Sequence, residues 1–409
     1  MERPLRVAHI THYTELYGAN RSLLDLLQGL REAGGVRSHV IMPHAGALSA
    51  ALDALDVPWA VVPFAPWLSE PHASGRWYHR LRQRWQQRRA ALERMRANAA
   101  ALPALDARLE AWEVDLVHAN SAAVGVVPAL VEAGRWPLVW HLRELPEAHY
   151  GMVFDGGARR FARALDRAQA LIAISDVVAA DVRRRVPSVR RLQRIYNGLF
   201  SATELDAFRS LPPERSTPQD PFTFLVVGLI HPAKGQVEAV EALALLQATG
   251  RRARLHIVGG GRSEALRACI TEHGLDAWVE LHGFVPDVGP LYRSADAYLA
   301  CSRHEALGRA TIEALAHGLP VIALRSGAHP EVLQATEGAP EEAACGLLYD
   351  GGADALARRM AQVMDDGTLR QTLSERALAS LPDRFGRAAC TAAVKDLFRA
   401  VAAQHPARP

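Results

Sequence analysis

The sequence predicts an α/β chain built as two doubly wound, Rossmann-like domains facing across a cleft. Three observations predict it. The chain has 409 residues, more than one ordinary core accommodates. Short apolar runs alternate with helical patterns, the mark of a parallel sheet covered on both faces. That alternation stops once, at a proline-rich segment, and then starts again.

In the first half, Leu5–Thr11, His39–Pro43, Trp59–Pro63, Val114–Ala119, Leu138–Leu142, Leu171–Ile174 and Arg194–Tyr196 read as buried strands. Leu23–Leu30 and Phe161–Ala168 read as helices between them. The segment Pro212–Pro221 is dense in proline and polar residues and reads as a linker. After it, Phe222–Val227, Leu255–Val258, Val279–Leu281, Ala297–Cys301, Val321–Leu324 and Gly346–Tyr349 read as strands. Gly235–Gln247, Ser263–His273, Arg309–His317 and Ala353–Met364 read as helices. The predicted boundaries are 1–205 for the first domain, 206–221 for the linker and 222–385 for the second domain. Residues 386–409 are predicted to form a C-terminal helix that packs back on the first domain. In such sheets ligands sit beyond the carboxyl ends of the strands, so those ends are where chemistry is sought.

Composition narrows the class. Apolar content of 49% with 22% charge fits a soluble globular enzyme. No run of about 18 apolar residues offers a spanning helix. The start, Met1–Arg6, lacks the apolar stretch of a secretory signal, so the expected location is cytoplasmic. Cys269, Cys301, Cys345 and Cys390 have no paired metal-ligand spacing and read as small buried thiols in a reducing compartment. No zinc site is expected among them. A net charge of +3 says little about partners. The kind of base says more: of 47 lysines and arginines only Lys234 and Lys395 are lysines. A lysine inside a glycine turn is therefore pointed, because a compact ammonium suits a phosphate as a point charge.

Two clusters carry the strongest chemistry. In Cys301–Ala314 a strand ends, a loop carries Glu305, and a helix opens near Gly308 with Arg309 in its first turn and Glu313 inside it. Helix-opening amides around Gly308 can receive an anion, with a carboxylate on either side of it. The alternative is a loop charge and an exposed helix residue. In Val226–Gly235 a strand runs into Gly228, a turn follows, and Lys234 arrives just before a helix. A cation there opposes the helix dipole unless an anion joins it; a solvated lysine is the alternative. Val258-Gly259-Gly260-Gly261 fits a phosphate turn or a plain strand-to-helix turn equally well. Gly18, in Tyr17-Gly18-Ala19-Asn20, opens a helix where backbone can approach a phosphate. His118 and His141 end two strands of one sheet, which suits either cleft-lining groups or satisfied polar ones.

Taken in order, these segments resemble the GT-B glycosyltransferases, specifically the retaining glycosyltransferase family 4, group 1. The likeness covers nearly the whole chain and is stronger after residue 222. It rests on Glu305 and Glu313, separated by seven residues in a Glu-x7-Glu pattern, on the Gly228–Gly235 loop, and on Leu281–Val285, Ser294–Ala297, Ala314–Ala323 and Pro330–Val332. In the first half Asp115–Ser121 and Tyr196–Gly198 are similar to family segments. The resemblance implies that Gly228, Lys234, Gly308 and Arg309 line the donor diphosphate, and that Glu313 and Glu331 belong to the donor site, Glu313 on the ribose hydroxyls. It implies that Glu305 faces the donor sugar and that Phe284 and Val285 bring backbone to the nucleobase. His141 would lie near the reacting carbon, and Gly18 would close over the phosphates from the acceptor-side domain. The pattern departs from the family at Leu229, where an arginine is usual, at Gly327-Ala328, where two glycines are, and at Leu142, where an aspartate is. His231, Arg303 and Arg309 are the basic residues that could replace the missing arginine.

The function this implies is retaining transfer of a sugar from a nucleotide-sugar donor to a glycan or lipid-linked acceptor, in cell-surface polysaccharide or glycolipid synthesis. No cofactor and no metal are expected, since amides and Lys234 can take the leaving charge and the sequence contains no Asp-x-Asp. Arg76–Arg96 holds eight arginines and one acid, Glu93. Trp77, Arg80, Arg84 and Trp85 make it a basic amphipathic helix with tryptophans. It either lies on an anionic membrane, making the enzyme peripheral on the inner face of the cytoplasmic membrane, or packs on its own domain with a solvated basic face. Nucleic acid is not an expected partner, because no recognised binding motif accompanies the arginines. Two rival readings are a sugar-nucleotide epimerase of similar fold and a non-catalytic sugar-nucleotide-binding scaffold.

Overall fold

The computed structural model describes residues 3–70, 77–210, 220–338 and 343–405, with the backbone alone for 77–81 and 209–210. It divides into two compact units, 1–201 with 384–409, and 202–383.

The first unit runs β1 (Leu5–Ile10), α1 (Gly18–Ala33), β2 (Val36–Met42), α2 (Ala47–Ala54), β3 (Trp59–Val61), β4 (Leu68–Ser69), α3 (Trp77–Ala100), α4 (Leu102–Ala111) and β5 (Leu116–Ala119). It continues with α5 (Val127–Ala133), β6 (Leu138–Leu142), α6 (Pro146–Tyr150), β7 (Val153–Phe154), α7 (Gly157–Arg167), β8 (Ala170–Ala173), α8 (Asp176–Arg185) and β9 (Leu192–Arg194). Its parallel sheet has the order β3-β2-β1-β5-β6-β8-β9, which reverses direction between β1 and β5. Every residue of β5, β6 and β8 is buried, as both-face coverage demands. β4 and β7 form a separate antiparallel pair.

The second unit opens with α9 (Ala202–Ser210) and β10 (Phe222–Val227), then a 3-10 turn (Pro232–Lys234), α10 (Gln236–Ala248), β11 (Ala253–Val258), α11 (Glu264–Glu272), β12 (Val279–Gly283) and α12 (Gly289–Ser294). It closes with β13 (Ala297–Ala300), α13 (Arg309–Ala316), β14 (Val321–Leu324), α14 (His329–Val332), β15 (Leu347–Tyr349), α15 (Ala353–Asp365) and α16 (Gly367–Phe385), whose last two residues belong to the first unit. Its sheet, β12-β11-β10-β13-β14-β15, is also parallel and reverses between β10 and β13.

The final helix, α17 (Arg387–Gln404), belongs to the first unit. Its Val394, Leu397, Phe398 and Val401 pack with Leu26 and Leu30 of α1 over Val7, Leu116, Val139 and Ile172 of the sheet. Gly29 permits this approach, since a Cβ there would lie 2.1 Å from the Thr391 hydroxyl.

The expected linker starts later than predicted: residues 206–210 are the last turn of α9. The nine residues of α9 are too few to establish a helical period in the sequence, yet Leu205 is buried and the Phe208 ring lies 4.7 Å from that of His317. The rest of that linker, 211–219, lies outside the described residues. Among the described residues no helix is long and apolar enough to cross a membrane.

Candidate active site

The reversal points of the two sheets gather the polar residues singled out by sequence. In the second unit, β10 ends in Gly228 and β13 ends before the Cys301–Gly308 loop. Three loops interlock there through glycines. A Cβ on Gly235 (φ +69°) would meet the Cys301 carbonyl at 2.4 Å, and one on Gly259 would meet the Gly228 carbonyl at 1.9 Å. Gly327 (φ +59°) lies so close to the Glu305 backbone that its Cβ would fall 2.3 Å from the carbonyl oxygen and 2.4 Å from the nitrogen. Ala328 N–H donates to that same carbonyl at 2.9 Å, and Arg303 N–H to Ala233 at 2.8 Å. The backbone thus sets where Lys234 and Glu305 stand.

Those two side chains meet. Lys234 Nζ donates to Glu305 Oε2 at 2.6 Å, with each side chain 15% exposed. The pairing joins residues expected to face phosphate and sugar separately. An ammonium has three protons to give, so it can hold Glu305 and still reach an anion.

Glu313 is held twice, by Arg309 Nε at 2.8 Å and by the Tyr292 hydroxyl at 3.3 Å. Tyr292 in turn stacks on His317, with ring centroids 4.9 Å apart. Sequence reasoning missed Tyr292; a tyrosine in a short helix carries no signal of its own. Gly308 (φ +85°) precedes α13, and no side chain caps that helix. Phe284 is 60% exposed just beyond β12, near Gly260, and Val285 beside it is half-buried. Glu331 sits half-buried in α14. Leu229 is exposed at the loop tip. Of the three basic residues expected to replace the missing arginine, Arg309 binds Glu313, Arg303 lies 3.6 Å from Glu238, and His231 Nδ1 accepts from the Ala233 amide.

In the first unit, histidines from three neighbouring strands form a buried row. His9 of β1 stands opposite His118 of β5, and His141 of β6 completes the line. His9 Nδ1 is 2.9 Å from His118 Nδ1, and His118 Nε2 is 3.2 Å from His141 Nδ1. His9 Nε2 reaches the Ser38 hydroxyl at 3.1 Å. Phe398 of α17 covers the row. His141 Nε2 is buried without a hydrogen-bond partner among the described residues. Burial pushes His9 down to about 3 and holds His118 and His141 well below their ordinary value, helped by the nearby Arg143 cation.

Arg143 organises this end of β6. It is buried and donates to Asn120 Oδ1 at 2.8 Å, to Asn197 Oδ1 at 2.5 Å and towards His141 Nδ1 at 3.2 Å. Burial lowers it to about 10. Glu144 beside it is pushed up to about 7 by burial, against hydrogen bonds from the Ser121 hydroxyl and the Ala122 amide. Asn20 ties the loop ahead of α1, accepting from Thr11 and donating to the Tyr13 and Glu15 carbonyls. Gly18 at the start of α1 is exposed, with open space where a Cβ would stand. His9, Arg143 and Glu144 were assigned no role by sequence, because their partners come from strands far apart in the chain.

The basic helix α3 is docked through its second half: Arg94 pairs with Asp155 at 2.7 Å, and Asn98 is buried against Ala65. Trp85 (63% exposed) and Leu92 (51%) stay outside, with Arg84, Arg88 and Arg89 exposed around them. The side chains of Trp77 and Arg80 lie outside the described residues.

Comparison with known proteins accords with this geometry. Residues 17–199 match the family described as Glycosyltransferase Family 4, and residues 208–379 match Glycosyl transferases group 1. The chain is 30% identical over 184 residues to the lipopolysaccharide core biosynthesis glycosyltransferase LpsE of Rhizobium meliloti, covering 44% of this chain and 51% of that one. It is 31% identical over 313 residues to a D-inositol 3-phosphate glycosyltransferase of Acidothermus cellulolyticus, covering 69% and 66%. The chain spans about half the length of the first curated relatives it matches. Its fold is similar to that of Anabaena HepE, solved with UDP and glucose, at a TM-score of 0.71 and 21% identity, covering 97% and 100%. With both halves matched in order and two Rossmann-like units of this topology, the chain belongs to the group 1 glycosyltransferases of glycosyltransferase family 4, with the GT-B fold.

Proposed function

We propose that this protein is a retaining glycosyltransferase that moves a sugar from a nucleotide-sugar donor to a glycan or lipid-linked acceptor in cell-surface polysaccharide or glycolipid synthesis. The observation that carries the reading is the Lys234–Glu305 pair at the reversal point of the second sheet, its Lys234 one of only two lysines in a chain that otherwise uses arginine. Relatives named for lipopolysaccharide core and colanic acid biosynthesis support the pathway class. HepE, solved with UDP, supports a nucleotide-sugar donor.

In the reaction the anomeric C–O bond to the diphosphate breaks and a bond to the acceptor oxygen forms. Lys234 meets the charge left on the phosphates, joined by the uncapped amides of α13 beyond Gly308. Glu313, oriented by Arg309 and Tyr292, takes the ribose hydroxyls, and Glu305 faces the sugar. Phe284 and Val285 border the base, and Glu331 completes the donor site. His141 and Gly18 are the residues the first unit is proposed to contribute. With no second carboxylate assigned as nucleophile, the leaving phosphate oxygen takes the acceptor proton. These residues need no metal for the step.

For a lipid-linked acceptor, α3 offers Trp85 and Leu92 on one helical face, two turns apart, amid exposed arginines, a surface suited to anionic headgroups. Co-sedimentation with anionic vesicles at low salt is expected for the wild type and weakened for Trp85→Ser. Absence of binding by the wild type ends the membrane part of the proposal.

The donor reading is tested by thermal shift with UDP, GDP and ADP. One nucleotide is expected to stabilise the wild type and not Lys234→Ala. A non-catalytic nucleotide-binding protein is the second reading, favoured by Leu229 at the arginine position with its basic neighbours engaged elsewhere. Nucleotide binding without turnover on any acceptor selects it.

A further inference from the structure

Away from the Lys234–Glu305 pair, β11 and β12 bring two histidines and a glutamate onto one face of the second sheet. Glu280 stands opposite His256 in register. One step further the register shifts at Ile257–Val258, so that Val258 pairs with Gly283 and His282 is left over beside His256. Such an irregularity re-aims a side chain. His282 Nε2 lies 3.1 Å from His256 Nδ1, with ring centroids 5.0 Å apart. Glu280 Oε2 is 3.8 Å from His256 Nε2, and its Oε1 is 3.6 Å from His282 Nδ1. One ligand atom from each of the three residues lies within 4.8 Å of the other two.

We propose that His256, Glu280 and His282 form a binding site for a zinc-class divalent cation, separate from the chemistry of sugar transfer. The donor set decides the class. Two imidazoles and a carboxylate favour zinc, copper or nickel, whereas magnesium and calcium call for oxygen ligands. The spacing suits zinc: two nitrogens 3.1 Å apart, each about 2.0–2.1 Å from one ion, subtend about 100° at it, near tetrahedral. Glu280 approaches the other nitrogen of each ring, at 3.8 and 3.6 Å, so it must swing to join the facing pair. The side chain that must move, Glu280, is 64% exposed and free of packing constraint, while the rings are 15% and 17% exposed and held. Water completes the fourth position. The charges facing the site are Glu280, which attracts the cation, and Arg254 two residues before His256 on the same strand face, which opposes it.

The location gives the site a consequence. β11 and β12 lead into Gly259–Gly261 and into Gly283, Phe284 and Val285, the turns nearest the proposed base-binding edge. A cation bound by both strands ties the bases of these two turns together.

The test uses the full chain stripped with a chelator and then titrated with zinc by calorimetry, and with cobalt(II) followed by its visible absorption. One equivalent of zinc is expected, with a tetrahedral cobalt spectrum and a raised melting temperature. His282→Asn and Glu280→Gln are expected to weaken binding about tenfold or more, while His44→Asn, on the first unit, leaves it unchanged. Glu280→Gln alters an exposed side chain, so it reads the site even where a histidine variant misfolds. No saturable zinc binding, or binding indifferent to both His282→Asn and Glu280→Gln, overturns the proposal. Because the readout is metal binding, the outcome is independent of whether the chain transfers sugar.

Discussion

The Arg143 guanidinium nitrogen Nη2 lies 3.2 Å from His141 Nδ1, and that single contact sets every proton along the histidine row. Arginine has donors only, so His141 Nδ1 accepts and its proton sits on Nε2. His118 Nε2, 3.2 Å from the same nitrogen, donates into the lone pair that Arg143 shares, which leaves His118 Nδ1 to accept from His9 Nδ1, and His9 Nε2 to accept from Ser38. The outcome is a neutral His141 whose Nε2–H is buried with no partner of its own. In the transfer reading this makes His141 a hydrogen-bond donor to a sugar oxygen. A base is the wrong description. Nitrogen-15 NMR of the three rings is expected to show Nε2–H for His141 and His118 and Nδ1–H for His9. A proton on Nδ1 of His141 refutes the assignment.

Acid should loosen the first unit through the same residues. His9 is held at about 3 against an ordinary 6.5, so between those values the unfolded chain binds a proton that the folded chain refuses. Stability contributed this way is full above 6.5 and is lost as pH falls towards 3, at about 1.4 kcal/mol per pH unit for each such histidine. Glu144 acts with the opposite sign. Raised to about 7 from 4.5, it favours the folded state as pH falls through that window and offsets part of the loss. His9→Gln is therefore expected to show a smaller drop in denaturant midpoint between pH 7 and pH 5 than the wild type. An equal drop counts against the row as the acid-sensitive element.

Lys234 and Glu305 should prove strongly coupled. Removing either leaves the other half-buried and without its 2.6 Å partner. A double-mutant cycle of Lys234→Met and Glu305→Gln is expected to give a coupling of roughly 1–3 kcal/mol in unfolding free energy. For transfer itself, Lys234→Ala is expected to cost about ten- to a hundredfold in turnover, or about 1.5–3 kcal/mol. Near-normal turnover removes Lys234 from the donor site.

Two glycine substitutions separate backbone strain from site geometry. Gly274 and Gly327 both have positive φ, +66° and +59°. A Cβ on Gly274 meets nothing within 4 Å, whereas one on Gly327 strikes the Glu305 backbone. Gly274→Ala is expected to cost about 1 kcal/mol and keep nucleotide binding. Gly327→Ala should cost more and abolish the nucleotide-induced thermal shift, because Glu305 must move. Matching behaviour of the two variants would show that the Glu305 loop is not held by Gly327.

Much of the frame was legible because parallel strands covered on both faces are continuous apolar runs, as in Leu138–Leu142 and Val321–Leu324. The turns at Gly228–Lys234 and Glu305–Gly308 were legible because glycine and charge punctuate those runs. Contacts between distant strands were not. Lys234 and Glu305 were both placed on one sheet edge, yet nothing in residues 71 apart announces an ion pair. His9 alone reads as a core polar residue; its meaning depends on its register against His118, 109 positions away. The two-residue strands β4 and β7 are too short to carry any periodicity.

The return of α17 to the first unit has a bearing on how the chain is made. The last helix supplies Val394, Leu397, Phe398 and Val401 to a core begun by Val7 and Leu26. During synthesis the first sheet therefore leaves the ribosome with one face only partly covered, by α1, while residues 202–383 can close their own core first. The first unit is thus completed only after the segment inserted within it. Until residue 404 has emerged, the histidine row lacks Phe398, its cover, and the apolar face beneath α17 is open to chaperones.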